Sequence, residues 1–314
     1  MRRSRFCHLI VFLLCLAGTA NALSVKDDRG KTLNLPAPAQ RIAAVSYFGA
    51  DTALALGLTP VATTHMVQGR SPAFLLGRLN QATDLGQRAA PNLERLSQAK
   101  PDLIVAMRRY TEANAARLEK VAPYLALRLE TFADSERSIR LFGDAVGRRT
   151  EAEALNARFR TTLADFAAKA PQERKPRYLF LWGGGEAPWA FYNENITSTL
   201  LNRLGGINVA GGNPTPQVPD NTAFEMNMEA ILIANPDVIF IYDYGAARPF
   251  EQNPLWKTLK AVKNGRVIYV QDHWIEAFGP LGRQATLFEA VHYLYPDRFA
   301  KPDLPKVLGG LLPK

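Results

Sequence analysis

Asn92-Leu93-Glu94-Arg95-Leu96-Ser97-Gln98-Ala99-Lys100-Pro101-Asp102-Leu103-Ile104-Val105 returns, altered, as Asn227-Met228-Glu229-Ala230-Ile231-Leu232-Ile233-Ala234-Asn235-Pro236-Asp237-Val238-Ile239-Phe240. Asn, Glu, Ala, Pro, Asp and Ile recur in register, all at the spacing that separates Glu94 from Glu229, 135 positions. Each copy reads as a short helix opened by Asn, stopped by Pro-Asp and followed by a buried apolar strand. Two such units imply two similar α/β lobes, and two lobes in one chain enclose a cleft.

Working outward, Arg41 to Ser46 reads as a first strand, Ala50 to Leu56 as a helix and Pro60 to Thr63 as a second strand. After Pro176 the pattern restarts with Tyr178 to Trp182, a helix from Thr197 to Leu204, a strand at Gly206 to Val209, and late strands at Val238 to Tyr242 and Val267 to Val270. Alternation of strand and helix predicts a parallel sheet in each half, that is, two Rossmann-like α/β lobes. Between them Ile139, Phe142, Ala145 and Val146 form one apolar stripe ending at Gly147. Thr150 with Glu153 then reads as a capping box, and Leu155, Phe159, Leu163 and Phe166 continue a stripe to Lys169. About 20 residues at about 1.5 Å each make a rod of roughly 30 Å, the diameter of a small lobe. A single stiff connector predicts little hinge closure and a cleft formed before ligand arrives. The expected organisation is 1–22 as a targeting segment, 23–149 as the first lobe, 150–172 as the connecting helix and 173–314 as the second lobe.

The start of the chain reads as an address. Arg2, Arg3 and Arg5 form a basic opening, Leu9 to Ala17 is apolar, and Ala20-Asn21-Ala22 is a small-x-small cleavage site. The apolar run is too short to span a bilayer. A lipid anchor needs a cysteine just after the cut, but Leu23 stands there and Cys15 follows Leu14. Cleavage after Ala22 removes both cysteines, Cys7 and Cys15, so the mature chain has no disulfide, thiol nucleophile or thiolate ligand. It also removes three arginines and no acid, lowering the formal +9 to +6. No Lys/Arg block resembles a nucleic-acid tail. The excess charge therefore serves either solubility or a small anionic ligand, the latter being the more economical functional reading.

The opening strand at Arg41-Ile42, the run Pro91-Asn92-Leu93-Glu94 with Lys100-Pro101-Asp102-Leu103-Ile104, the bridging helix and the second Glu-to-Pro-Asp unit together resemble the helical-backbone (class III) periplasmic binding proteins of ABC importers. Gln252 to Lys257, with Val267 to Trp274 after it, is most similar to the ferric-citrate and siderophore branch. The resemblance spans essentially the whole mature chain. It implies a periplasmic monomer that captures a ferric siderophore or ferric citrate and delivers it to a dimeric permease. It implies no cofactor, because iron arrives inside its chelate; haem or a corrinoid is the alternative cargo within the family. Glu94 and Glu229 match the family's pair of surface glutamates, one per lobe, that dock on permease arginines. The helix macrodipole alone also favours a Glu in a first turn.

Ligands of open α/β sheets sit beyond the carboxyl ends of the strands. That rule selects Tyr47, Arg70, Arg108, Arg109 and Tyr110 in the first half, and Trp182, Trp189, Tyr192, Tyr244, Arg248 and Trp274 in the second; Arg88 joins them as a further ligand-binding candidate. Arginine offers paired donors to carboxylate or catecholate oxygens, and aromatic rings supply broad contact at small entropic cost. The combination suits a bulky anionic chelate. Tyr47, Tyr110 and Tyr244 keep an axial tyrosine for haem open. His65, His273 and His292 lack close ligand spacing, so no protein-held metal is expected. Gly183 to Gly185 lacks the rest of a phosphate loop and reads as a tight turn. A secreted enzyme is the competing class, but GxSxG and HExxH are absent, and nothing in the sequence pairs Glu186 with Asp243.

Overall fold

The computed structural model describes residues 23–218 and 222–313. The address segment lies outside the described residues. The first ordered elements are an antiparallel hairpin, β1 (Leu23–Lys26) with β2 (Thr32–Leu35), which no period-2 run had announced. Its Val25, Leu33 and Leu35 cover Leu125 and Leu127 in one apolar cluster.

The first sheet holds β3 (Ile42–Val45), β4 (Ala62–His65), β5 (Thr83–Gln87), β6 (Leu103–Met107) and β7 (Tyr124–Leu127). Its order is β5-β4-β3-β6-β7 and every neighbour is parallel. The order reverses between β3 and β6, which makes a topological switch point. β5 escapes a sequence reading because Thr83-Asp84-Leu85-Gly86-Gln87 buries only Leu85 fully.

The second sheet holds β8 (Arg177–Trp182), β9 (Trp189–Phe191), β10 (Ile207–Asn208), β11 (Ala223–Glu225), β12 (Val238–Tyr242) and β13 (Val267–Val270), in the order β11-β9-β8-β12-β13 with β10 also on β8. Here the all-parallel expectation needs correction: β9 runs antiparallel to β8, and β11 antiparallel to β9. The chain doubles back at Gly183, whose φ of +108° suits a residue without a side chain. That fold-back turns Trp182 and Trp189 into cross-strand partners.

The two copies of the repeat are structurally equivalent. Asn92 accepts a hydrogen bond from the Arg95 amide at 3.0 Å, and Asn227 from the Ala230 amide at 2.9 Å. Each helix ends on a residue in the left-handed region, Lys100 and Asn235. Asp102 then accepts from the Arg41 amide at 2.8 Å, and Asp237 from the Arg177 amide at 2.9 Å. The same arginines return their guanidinium groups to the helix end, Arg41 to Ala99 O and Lys100 O, Arg177 to Ala234 O. Each copy is thus a helix clasped to the neighbouring strand by its own Asp and by an Arg from that strand. Glu94 and Glu229 stand exposed at matching first-turn positions of helices Leu93–Gln98 and Met228–Ala234.

The connecting helix runs Arg149–Lys169, 21 residues or roughly 30 Å, and buries Ala152, Asn156, Phe159 and Leu163. The expected Thr150–Glu153 capping box is not its start. Helix Phe132–Ala145 runs almost directly into it, so Thr150 already lies inside the first turn and Glu153 pairs with Arg149 instead. A capping box does form one helix earlier, between Thr131 and Asp134.

The end of the chain does not stay with the second lobe, as the 173–314 expectation had it. Helix Pro280–Leu294 packs against helix Tyr47–Ala55, helix Ile196–Arg203 and the connecting helix. Beyond it Leu308 and Leu311 are buried with Tyr47, Leu54 and Phe74 of the first half. An apolar helix buried on several faces cannot be assigned to one lobe by its pattern. Asp51, fully buried, accepts from the Leu281 and Gly282 amides at 2.7 Å each and so caps this helix. A Cβ on Gly279 would meet the Asp51 carboxylate at 2.3 Å, so only glycine fits there. Arg283, also fully buried, donates to Asn156 at 2.7 Å and to Ser135 at 3.3 Å, and lies 4.5 Å over the Phe159 ring.

Burial pushes the Asp51 carboxyl up to about 7, against the two amides and Arg283, which pull it down. Between the unfolded-chain value near 4 and about 7, the folded chain therefore holds a proton that the unfolded chain has released. Stability should fall as pH rises through that window, by up to about 1.4 kcal/mol per pH unit from this group. Urea unfolding at pH 5, 6 and 7 measures the slope, and Asp51→Asn should flatten it; equal slopes would assign the pH dependence elsewhere.

Candidate ligand-binding cleft

Strands β4, β5 and β6 of the first sheet and β8 and β12 of the second bring their carboxyl ends to one cavity of about 340 Å³. From the first lobe it is lined by Met66 and Val67 after β4, Gln87 and Arg88 at the end of β5, and Met107, Arg109 and Tyr110 at the switch-point strand β6. From the second lobe come Trp182, Trp189, Phe191, Asn195, Thr222, Ala223, Tyr242 and Tyr244. Ile275, Glu276 and Phe278, on the segment leading into helix Pro280–Leu294, complete the lining.

Of the residues predicted for the site, Arg88, Arg109, Tyr110, Trp182, Trp189 and Tyr244 line this cavity. The second-lobe wall is aromatic. Trp182 lies 6.2 Å from Trp189 and 6.3 Å from Tyr244, and Tyr244 stacks on Tyr242 at 5.6 Å. Trp182 and Trp189 remain 37% and 40% exposed, a large apolar surface left open inside the cleft. On the opposite wall Arg88 sits 4.0 Å over the Tyr110 ring and donates to its hydroxyl at 3.0 Å, while Arg109 lies 5.0 Å over the same ring. Arg88 also pairs with Glu276, which is 1% exposed and accepts from the Phe48 amide at the start of helix Tyr47–Ala55.

The other predicted residues are placed elsewhere. Tyr47 is buried beneath the first wall; its hydroxyl accepts from the Met66 amide at 3.2 Å, and burial raises its pKa to about 12. Of the tyrosines considered for haem, only Tyr110 and Tyr244 thus reach the cavity. Arg70 spans the lobes, donating to Asp243 O at 2.7 Å and Tyr242 Oη at 3.1 Å and pairing with buried Asp272. Arg108 turns to Glu112 at 3.2 Å, and Arg248 is held by Glu251 at 2.9 Å and Asp243 at 3.2 Å. Tyr192 is buried beside the cavity rather than in its lining. Trp274 is core: it packs on Phe240 at 4.7 Å and donates to Glu289 at 2.8 Å. The strand-end rule selects loops but not the direction of each side chain, and a carboxylate in reach turns an arginine away from the cleft. Glu276 is the consequential omission; extending the rule two residues past Trp274 would have included it.

The three histidines among the described residues lie apart, His65 on Asp84, His273 on Glu289 and His292 on the Phe299 carbonyl. Among the described residues no three His, Cys, Asp or Glu side chains are grouped to hold a metal ion, and no helix is long and apolar enough to cross a membrane.

Two lobes of this topology, joined by one long helix around a cleft, have the architecture of a solute-binding protein. The chain belongs to the periplasmic binding protein family, whose model matches residues 42–273. It is 30% identical over 263 residues, covering 79% of this chain and 80% of the relative, to YhfQ of Bacillus subtilis, named as an ABC transporter substrate-binding lipoprotein. It is 27% identical over 271 residues to the Fe(3+) dicitrate-binding periplasmic protein FecB of Escherichia coli, covering 84% of this chain and 87% of FecB. Among solved structures, SirA of Staphylococcus aureus in complex with staphyloferrin B superposes with a TM-score of 0.69 at 26% identity, covering 87% of this chain and 97% of SirA.

The Arg70 clasp joins the lobes beside the cavity, so its removal should be felt in both stability and shape. Arg70→Ala leaves the carboxylate of Asp272 buried without its cation. The expected loss is about 2 kcal/mol, below the range for a fully buried pair because Arg70 remains partly in water. Urea unfolding reads the loss, and solution X-ray scattering should report a larger radius of gyration; no change in either would deny the clasp a role.

Proposed function

We propose that this protein is the periplasmic substrate-binding component of an ABC importer, taking a ferric siderophore or ferric citrate into the cleft and presenting it to an inner-membrane permease. The observation that carries this reading is the cavity itself: two sheets converge on it, aromatic rings line one wall, and Arg88 and Arg109 lie on the other. The named iron-chelate binders among its relatives support the choice of cargo.

The work is binding, not bond-making. The iron is cargo and reaches the site already ligated, so the protein needs only to enclose the chelate. Arginine donors meet its oxygens, and the rings cover its organic shell. The connecting helix and the Arg70 clasp limit closure, so most of the ordering entropy is lost during folding rather than binding. Delivery falls to Glu94 and Glu229; their exposure at matching positions of the two repeat helices supports a role in meeting basic groups on a two-part permease. Residues 1–22 serve export and are cut away, and the mature chain works as a monomer.

Titration of the purified protein with ferric citrate and a panel of ferric siderophores should quench tryptophan fluorescence and saturate at one chelate per chain, since Trp182 and Trp189 stand on the cavity wall. Absence of saturable quenching by any ferric chelate would end the assignment. Glu94→Ala and Glu229→Ala should each cut uptake of iron-55 chelate by cells at least ~10-fold while leaving chelate affinity unchanged; normal uptake by the double variant would remove both residues from docking.

A further inference from the structure

The charge of the cleft is lower than its arginines suggest. Five arginines cluster near the strand ends, yet Arg70, Arg108 and Arg248 are each committed to a carboxylate away from the cavity. Arg88, which does line it, is paired with Glu276 inside the same cavity. Among the described lining residues the charged groups are Arg88, Arg109 and Glu276, a net excess of one positive charge. Glu276 is no bystander from the surface: it is 1% exposed, held by Arg88 on one side and by the Phe48 amide on the other. A chelate that engages Arg88 must therefore either displace a buried carboxylate or accept its negative field at close range. Opposite stands the open aromatic surface of Trp182, Trp189 and Tyr244, which carries no charge and offers a polyanion only indole N–H groups and a phenol hydroxyl.

Building on the proposed reading of the cleft as a ferric-chelate site, we infer that Glu276 is a built-in counter-ion to Arg88 that selects ferric chelates of low net charge bearing aromatic groups over polyanionic ones such as ferric citrate. The carboxylate occupies, within the protein, the position that an anionic oxygen of the cargo would otherwise fill. The rings reward a flat apolar shell. Glu276 is thus a specificity-determining residue, and the aromatic wall supplies most of the contact.

Three synthetic complexes separate charge from ring content. Ferric tris(benzohydroxamate) is neutral and carries three phenyl rings, ferric tris(acetohydroxamate) is neutral without rings, and ferric citrate is anionic without rings. Fluorescence titration of the mature protein should rank them in that order, with at least ten-fold between first and last. Trp189→Ala should weaken only the phenyl complex, on the order of ten-fold. Glu276→Gln keeps the side-chain shape and an oxygen for the Phe48 amide but removes the charge, and it should tighten ferric citrate on the order of ten-fold, with thermal unfolding reporting that the variant is folded. Ferric citrate binding as tightly as the phenyl complex to the unaltered protein would overturn the inference while leaving the ferric-chelate reading intact. So would an unchanged citrate affinity in folded Glu276→Gln. Failure of all three complexes and of every ferric siderophore would overturn that underlying reading as well.

Discussion

The fold depends on the buried junction around helix Pro280–Leu294. Asp51 of the first lobe holds its amino end through two backbone amides, and Arg283 fixes its body to Asn156 of the connecting helix and to Ser135. The same helix packs on Ile196–Arg203 of the second lobe. Asp51 and Arg283 have no exposure, and each polar contact they make crosses between elements that would otherwise be free to rock. Polar and charged groups taken out of water are costly unless their neighbours satisfy them, so the geometry around them is narrowly set. Burial holds Arg283 down to about 10, still charged at neutral pH. Two lobes, a connector and a terminal helix are thereby held as one body.

Rigidity at that junction decides what the cleft can be. Ile275, Glu276 and Phe278 line the cavity just before the helix that Asp51 caps, so one wall of the cavity is set by the junction. Across the opening, the Arg70 clasp to Asp272, Tyr242 and Asp243 adds a second tie between the lobes. A site held from both sides gains affinity by losing little freedom on binding. The electrostatics follow from the same architecture, because Arg70, Arg108 and Arg248 pair with carboxylates outside the cavity lining. The cavity is lined by an aromatic wall facing a basic one in which Arg88 pairs with Glu276.

Much of the architecture was readable before any coordinates. The repeated Asn-to-Ile segments fold as equivalent helix-strand units with Glu94 and Glu229 in matching positions, and the apolar stripe from Leu155 to Phe166 lies on a helix of 21 residues between the sheets. Their periodicity is local, and local periodicity survives into the fold. β5 and the β1–β2 hairpin were not readable, since their stability comes from covering other strands rather than from a pattern of their own. At the site, Arg109, Tyr110, Trp182, Trp189 and Tyr244 could be chosen from strand ends; Arg88 follows the unread strand β5, and Glu276 could not be singled out.

By itself the sequence determined that two like α/β halves are joined by a stiff helix and that aromatic and basic residues gather at their strand ends. Hydrophobic period, helix caps and Pro-Asp stops act over a few residues, so they are written where they act. Only the tertiary structure decided that the last helices return to the first lobe and that Arg70, Arg108 and Arg248 spend their charge on carboxylates outside the cavity. It also decided that Glu276 lies against Arg88, 188 positions earlier in the chain. Those outcomes depend on which charges meet across long chain separations, and such meetings are set by packing rather than by neighbours in sequence.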